Sequence, residues 1–267
     1  MKSQPVALVT GASSGLGEAL APLLAQKGYK VYGMSRREVA LPGVTSLSCD
    51  VADKVAVEAA IRELTLQSGR LDLVMHCAGI GGGGPVEHMP LERARKIMDV
   101  NFWGTYMLCQ ECLPHLIAAP KGRLLIVGSI GGFMGIPFRA AYCASKGALQ
   151  NLVESLRLET ADTNLQVSLV TPGDMATNSF ATQYRVPHEE VHERYRRRYV
   201  SADNGMRDHV GDGMAAGEVA QKMIDIAEKK SLNPQYIIGE FTQKISPIAR
   251  RILPGKWWEK LLGSYYK

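Results

Sequence analysis

Short apolar runs alternate along the chain with segments whose apolar residues recur at helical spacing, and the alternation predicts strands and helices in turn. Residues 5–10 (PVALVT) predict a buried strand that leads through GASSGLG into a helical pattern, EALAPLLAQKG, ending at Gly28. Further runs at 30–35 (KVYGMS), 71–76 (LDLVMH), 123–128 (RLLIVG), 165–171 (LQVSLVT) and 235–238 (QYII) predict more strands, and 44–49 reads as another. Helical spacing marks 54–68, a segment from about Leu91 onward, 140–159 and 216–229. Strands that alternate with helices throughout predict an α/β protein with a doubly wound parallel sheet and helices on both faces. A length of 267 residues suits one domain over 1–267.

The turns between these elements carry the candidate chemistry. Glycines 11, 15 and 17 let the main chain turn tightly and bring a phosphate close to free N–H groups at a helix start, where partial positive charge gathers. The turn is suited to a pyrophosphate, although its GxxxGxG spacing departs from the GxGxxG dinucleotide pattern. Ser129 follows the run 123–128, so its hydroxyl sits at the carboxyl end of a strand, where open α/β sheets bind ligands. Tyr142 and Lys146 are four residues apart in a helical pattern and project from one face. A phenol titrates near ~10, and a neighbouring ammonium lowers that value. Tyr142 is thus set to exchange a proton while Ser129 holds the same substrate oxygen. The Tyr–Lys spacing alone also fits an ordinary helix face, so the reading leans on the rest of the chain.

Composition narrows the class. With 46% hydrophobic and 21% charged residues, and no run approaching the about 18 apolar residues of a membrane span, the chain fits a soluble globular protein. The first apolar run begins by Pro5, and we expect no targeting signal. A net charge of +5 favours anionic ligands only weakly and gives no reason to expect a nucleic-acid partner. Five cysteines at irregular spacing (49, 77, 109, 112, 143) fit a reduced, cytoplasmic compartment. Cys109 and Cys112 form a lone CxxC inside a helical run; we expect packing there and no metal.

TGASSGLG (Thr10 to Gly17), Asn101 within DVN, Ser129 thirteen residues before Tyr142, and YCASK (Tyr142 to Lys146) together resemble the short-chain dehydrogenase/reductase family, over about residues 5–240. The resemblance implies a Rossmann-like fold, a nicotinamide dinucleotide and reversible hydride transfer with an alcohol or ketone. It implies a catalytic set of Asn101, Ser129, Tyr142 and Lys146, of which Asn101, Tyr142 and Lys146 also contact the cofactor. Lys146 would bind the nicotinamide ribose, and Asn101 would distort its helix and hold a water joined to that lysine. Thr10, Gly11, Ser13, Ser14, Gly15, Leu16 and Gly17 would form the pyrophosphate turn, and Asp50 and Val51 would border the adenine. Ala78 and Gly79 match the family's loop after the fourth strand, Pro172 and Gly173 its turn beneath the nicotinamide, and Thr177 its carboxamide contact. Asp50 also reads as the cap of a helix beginning near Asp53, alone or in addition. The family usually has NNAG where this chain has HCAG, so the hydrogen bonds of the missing asparagines must come from elsewhere. His76, closing a buried strand, reads as packed or backbone-bonded and not catalytic.

The strand at 30–35 ends with Arg36 and Arg37, about eighteen residues beyond Gly17, at the position that reads the adenosine ribose. NAD-dependent members of the family usually carry an acid where Ser35 stands, and a carboxylate there repels a 2′-phosphate. Arg36 can instead grip that phosphate through two charge-assisted hydrogen bonds, with Arg37 stacked on adenine or solvated. We expect NADP(H) over NAD(H), the alternative being a solvated charge pair in a loop.

Four glycines at 81–84 predict a flexible edge to the substrate cleft. From Asp174 to Gly213 bulky polar residues dominate, as in a lid and not a core element. Within it, HEEVHERYRRRYV predicts a solvated helix with Glu190–Arg194 and Glu193–Arg197 pairs. The aromatic, basic tail at about 240–267 fits a pocket cover, a subunit contact or a membrane-surface segment. Pro247, Pro254 and Gly255 break it into short pieces, which argues against the last. Lid and tail point to a sizeable apolar carbonyl of steroid, lipid or fatty-acyl type, with a sugar, polyol or small carbonyl as the alternative substrate. A non-catalytic dinucleotide-binding regulator is the alternative class. Family habit implies a homodimer or homotetramer.

Overall fold

The computed structural model describes residues 4–176 and 183–265. Seven strands form one parallel sheet: β1 (Val6–Thr10), β2 (Lys30–Ser35), β3 (Val44–Ser48), β4 (Leu73–His76), β5 (Arg123–Val127), β6 (Gln166–Pro172) and β7 (Gln235–Ile238). Their order is 3-2-1-4-5-6-7, so the sequence direction reverses between β1 and β4. A crevice opens at such a reversal beyond the strands' carboxyl ends.

The inner strands read as largely apolar runs because both faces are covered, whereas β3 (VTSLS), at the edge, is partly exposed. Val6, Leu8, Leu124 and Ile126 point into one core, and Ala7, Val9, Leu125 and Val127 into the other. Helices α2 (Lys54–Ser68), α4 (Gly104–Ala118) and α5 (Ala140–Glu159) close the first core, while α1 (Gly15–Gln26) and α7 (Ala216–Ala227) close the second. This is the expected doubly wound, Rossmann-like arrangement. Cys109 and Cys112 pack into the first core, and burial pushes the Cys109 thiol up to about 12. Asp53 starts α2 by accepting from the Val55 and Ala56 amides at 2.9 and 3.2 Å, and Gly69 ends it with φ 70°. Asp50 does not cap that helix; it accepts from the Ala52 amide at 3.1 Å.

Segments outside the sheet differ from expectation in three places. The glycines at 81–84 are not a loose edge: Gly82–Gly83 is buried and pairs in parallel with Tyr184–Arg185. A Cβ on Gly82 would stand 2.7 Å from Ile97 Cδ1, so glycine serves close approach there. Residues 183–211 carry an apolar core of their own, in which Val186, Val191 and Tyr199 pack with Met89 and Phe138. Asp203, buried, forms an ion pair with Arg185, its Oδ1 3.0 Å from the guanidinium Nε. Helix α6 (Glu193–Gly211) outruns the predicted segment, while Glu190 belongs to a separate 3-10 turn, so the Glu190–Arg194 helical pair does not form; Arg194 bonds Glu87 instead.

The third difference lies in the tail. Helix α8 (Phe241–Ile252) runs through Pro247, and α9 (Gly255–Tyr265) follows after a break at Leu253 and Pro254. Proline has no N–H for the carbonyl four residues back. Ser246 compensates, its Oγ donating to the Gln243 carbonyl at 2.9 Å. Among the described residues no helix is long and apolar enough to cross a membrane.

Candidate active site

Beyond β1 the chain enters the glycine turn, where Gly11 and Gly15 take left-handed backbone with φ of 69° and 58°. A Cβ on Gly17 would fall 2.5 Å from the Gly11 carbonyl oxygen, so α1 can begin this close to β1 only with glycine there. Ser14 precedes α1 in extended conformation and its side chain caps nothing, leaving the first-turn N–H groups without a side-chain acceptor. That cradle fits a dinucleotide pyrophosphate. Thr10 and Leu16 are buried behind it. Arg37 folds back over the turn, its Nη2 donating to the Ser13 carbonyl at 3.1 Å and to Ser13 Oγ at 3.3 Å, while Arg36 is exposed. Val51 is buried in the first core beyond β3.

His76 closes β4 and is fully buried. Thr105 Oγ1 gives its single proton to the Asn101 carbonyl at 2.6 Å and therefore accepts from His76 Nε2 at 2.8 Å. His76 Nδ1 then accepts from Thr10 Oγ1 at 2.8 Å, and Thr10 Oγ1 accepts from the Ala78 amide at 3.1 Å. Burial, reinforced by the Lys146 charge, holds the imidazole neutral with a pKa lowered to about 3. His76 thus ties β1, β4 and α4 together.

Asn101 sits in a π-helical turn, Asp99–Trp103, between α3 (Leu91–Met98) and α4. Its Oδ1 accepts from the Ile80 amide at 2.8 Å, and its Nδ2 donates to the Ile80 carbonyl and to Ser145 Oγ, both at 2.9 Å. Ser145 Oγ in turn donates to the Tyr142 carbonyl at 2.7 Å. The amide thereby pegs the Ala78–Ile80 loop to α5. Gly79 lies against both partners: a Cβ there would be 3.3 Å from Asn101 Oδ1 and 3.4 Å from Lys146 Nζ.

Ser129 follows β5, accepts from the Gly131 amide at 3.2 Å and hydrogen-bonds the Tyr142 phenol. Lys146 is buried one turn along α5, its Nζ donating to the Val127 carbonyl at 2.8 Å, and burial lowers its pKa to about 8. The phenol differs from expectation. Its pKa is raised by burial; the Ser129 bond and then the Arg139 charge oppose the rise. The cation acting on Tyr142 is Arg139, whose guanidinium carbon stands 5.0 Å from the ring centroid. Lys146 is instead turned onto Val127. Ser129, Tyr142, Lys146 and Asn101 are therefore gathered as expected, but with a different source of positive charge on the phenol. Pro172 ends β6 and Gly173 follows it, both lining one cleft with Ser129 and Tyr142, and Thr177 lies outside the described residues.

A profile of the short chain dehydrogenase family matches residues 5–186. The chain belongs to that family. It is accordingly an oxidoreductase of the group that binds nicotinamide dinucleotides. A 3-ketodihydrosphingosine reductase of Bacteroides thetaiotaomicron is 38% identical over 173 residues, covering 64% of this chain and 64% of that protein. Human 17-beta-hydroxysteroid dehydrogenase type 1 is 36% identical over 209 residues, covering 72% of this chain and 63% of that protein. Either alignment spans less than two thirds of the relative's length. A solved short-chain dehydrogenase from Streptomyces avermitilis superposes with a TM-score of 0.81 at 25% identity, covering 97% of this chain and 98% of that one.

Around the shared short-chain dehydrogenase elements this member builds a cleft of about 560 Å³. Ser129 and Tyr142 stand on one wall, and Met134, Ile136, Met206 and Trp258 supply apolar lining. Four polar cleft residues escaped the sequence reading. Arg139 Nη2 donates to Gln183 Oε1 at 2.8 Å, and Gln243 Nε2 donates to Asp174 Oδ2 at 3.0 Å. Gln243 also approaches Gly173 so closely that a Cβ there would be 1.9 Å from its Oε1. Its only sequence signal is a capping box with Glu240, which marks a helix start and says nothing of the cleft. Phe138, just before α5, takes φ 62°, a strained value for a residue with a side chain, and its carbonyl accepts from the Gly84 amide at 2.8 Å.

Proposed function

We propose that the protein is an NADP(H)-dependent oxidoreductase, folded as one domain, that moves a hydride between the nicotinamide and a sizeable apolar ketone or secondary alcohol of steroid, lipid or fatty-acyl type. The observation that carries this reading is the apolar cleft of about 560 Å³ with Ser129 and Tyr142 on its wall. The two named relatives, a 3-ketodihydrosphingosine reductase and a hydroxysteroid dehydrogenase, support the same substrate class.

The bound nicotinamide supplies the hydride in the reducing direction. Ser129 and Tyr142 hydrogen-bond the substrate oxygen as negative charge gathers on it, and Tyr142 gives up its proton. A phenol raised by burial keeps that proton until the oxygen becomes basic enough to take it. Lys146 binds the nicotinamide ribose, and Asn101 holds the loop and α5 in register for it. Thr10 to Gly17 hold the pyrophosphate, Asp50 and Val51 border the adenine, Ala78 and Gly79 border the ribose, and Pro172, Gly173 and Thr177 receive the nicotinamide. Ser35 in place of a carboxylate, with Arg36 and Arg37 next to it, supports the preference for a 2′-phosphate. Free cysteines among the described residues fit a reducing cytoplasm, and exposed Trp103 of the π-helical turn and Tyr106 of α4, in contact with each other and with Phe102, suit a homodimer or homotetramer contact.

The test is a panel of apolar ketones with NADPH, followed by cofactor absorbance, in the wild type and in Tyr142→Phe. Turnover should fall at least ~10²-fold in the variant while NADPH still binds. Near-normal turnover by Tyr142→Phe would remove the proton-transfer role.

A further inference from the structure

We propose that the outer face of the α8–α9 hairpin docks on an anionic lipid bilayer and that the cleft opens onto that surface, so that substrate enters from the membrane. The inference rests on the apolar-substrate reading and extends it to where the substrate is found.

Among the described residues fourteen large apolar side chains are exposed, and six of them fall between Phe241 and Leu261. Singly scattered exposed side chains need no explanation, but a cluster does. Phe241, Ile245, Ile248 and Ile252 recur at helical spacing, so they form one stripe along α8. Trp257 and Leu261, four apart, form a shorter stripe on α9. These six are between 38% and 74% exposed. The stripe on α8 exists because Pro247 does not interrupt the helix.

The charges around the stripes name the partner. Over residues 240–265 five cations (Lys244, Arg250, Arg251, Lys256, Lys260) face two carboxylates (Glu240, Glu259), a net of +3. Helical spacing puts Lys244 and Arg251 on one flank of the α8 stripe, and Lys256 and Lys260 on one flank of the α9 stripe. Apolar residues bordered by exposed cations, with a tryptophan beside them, match the boundary between anionic headgroups and acyl chains. A second copy of this chain would set two such positive surfaces against each other, which Coulomb repulsion disfavours.

Continuity with the cleft gives the surface its purpose. Phe241, Ile245 and Leu261 are exposed in the stripes and also line the cleft beside Tyr142. The apolar rim and the apolar interior are one surface, so a lipid-dissolved ketone passes from one to the other without crossing water.

The experiment uses the full chain with vesicles of phosphatidylcholine, with and without phosphatidylserine, separated by flotation. The wild type should bind the phosphatidylserine vesicles, and binding should weaken with salt. Ile248→Ser, Ile252→Ser and Trp257→Ser combined, none of them a cleft residue, should cut binding at least about tenfold. Their melting temperature and turnover of a short water-soluble ketone should stay unchanged, while KM for a bilayer-dissolved ketone rises. Lys244→Glu with Lys260→Glu should abolish the preference for phosphatidylserine. Equal binding to both vesicle types, or none to either, overturns the proposal. So does a wild-type oligomer that the triple variant dissociates without any vesicle binding. Vesicle binding with no ketone turned over would leave the surface standing and refute the activity instead.

Discussion

Replacing His76 with asparagine tests whether a buried neutral imidazole ties the strands at the cofactor turn. In the folded protein its pKa is lowered to about 3, against a reference of about 6.5 for the unfolded chain. A folded pKa below the unfolded one means that the unfolded state takes up the proton first. Stability from this group is therefore fully present above about pH 6.5 and is lost as pH falls toward the folded value of about 3. Each pH unit between those values removes about 1.4 kcal/mol, so moving from pH 6.5 to pH 4.5 costs on the order of 2.7 kcal/mol. Asparagine does not titrate, yet it retains one donor and one acceptor for Thr105 and Thr10. Urea unfolding of both proteins at several pH values between about 7.5 and 4.5 isolates the effect, because the carboxylates common to both cancel in the difference. The stability advantage of the wild type over His76→Asn should shrink by on the order of 2–3 kcal/mol over that range. Parallel stability curves would show that the imidazole charges as easily inside as outside and would refute the assigned tautomer and network.

Three further outcomes follow from the geometry. Gly17→Ala places a methyl 2.5 Å from the Gly11 carbonyl oxygen; dinucleotide affinity measured by calorimetry should drop about tenfold or more with the fold retained. Unchanged affinity would mean that the turn does not bind the pyrophosphate. Arg36→Asp should lower the ratio of kcat/KM for NADPH over NADH at least about tenfold, and an unchanged ratio would strip the residue of its role. Asp203→Ala removes a buried carboxylate that is ion-paired with Arg185. Hydrogen exchange across 184–211 should accelerate by an amount corresponding to roughly 3 kcal/mol while β1 and β4 stay protected, and unaltered exchange would deny the ion pair its part in ordering that segment.

The inner strands of the sheet were legible because strands buried on both faces are largely apolar, whatever their neighbours. Tyr142, Lys146 and the glycine turn were legible because each rests on short-range spacing. His76 was not, since its partners Thr10 and Thr105 lie 66 and 29 positions away and nothing local names them. The same holds for Arg139 with Gln183, 44 positions apart. The π-helical turn at Asp99–Trp103 contains no proline or glycine to signal it, and only the family resemblance at Asn101 anticipates a distorted helix there. Val186, Val191 and Tyr199 are too thinly spread among arginines and glutamates to show as a core, so polar residues dominate the pattern of that segment. Pro247 misled because the rule that proline ends a helix assumes an unmet carbonyl, and the adjacent serine meets it.

In this chain the residues proposed to move the proton precede β6, whereas much of the cleft's outer wall comes from α8 and α9, after the last strand. Reactivity and admission are thus written at separate addresses. Exchanging the terminal hairpin for another would recast that outer wall, and the swap would reach the floor at Gln243, which holds Asp174 and abuts Gly173.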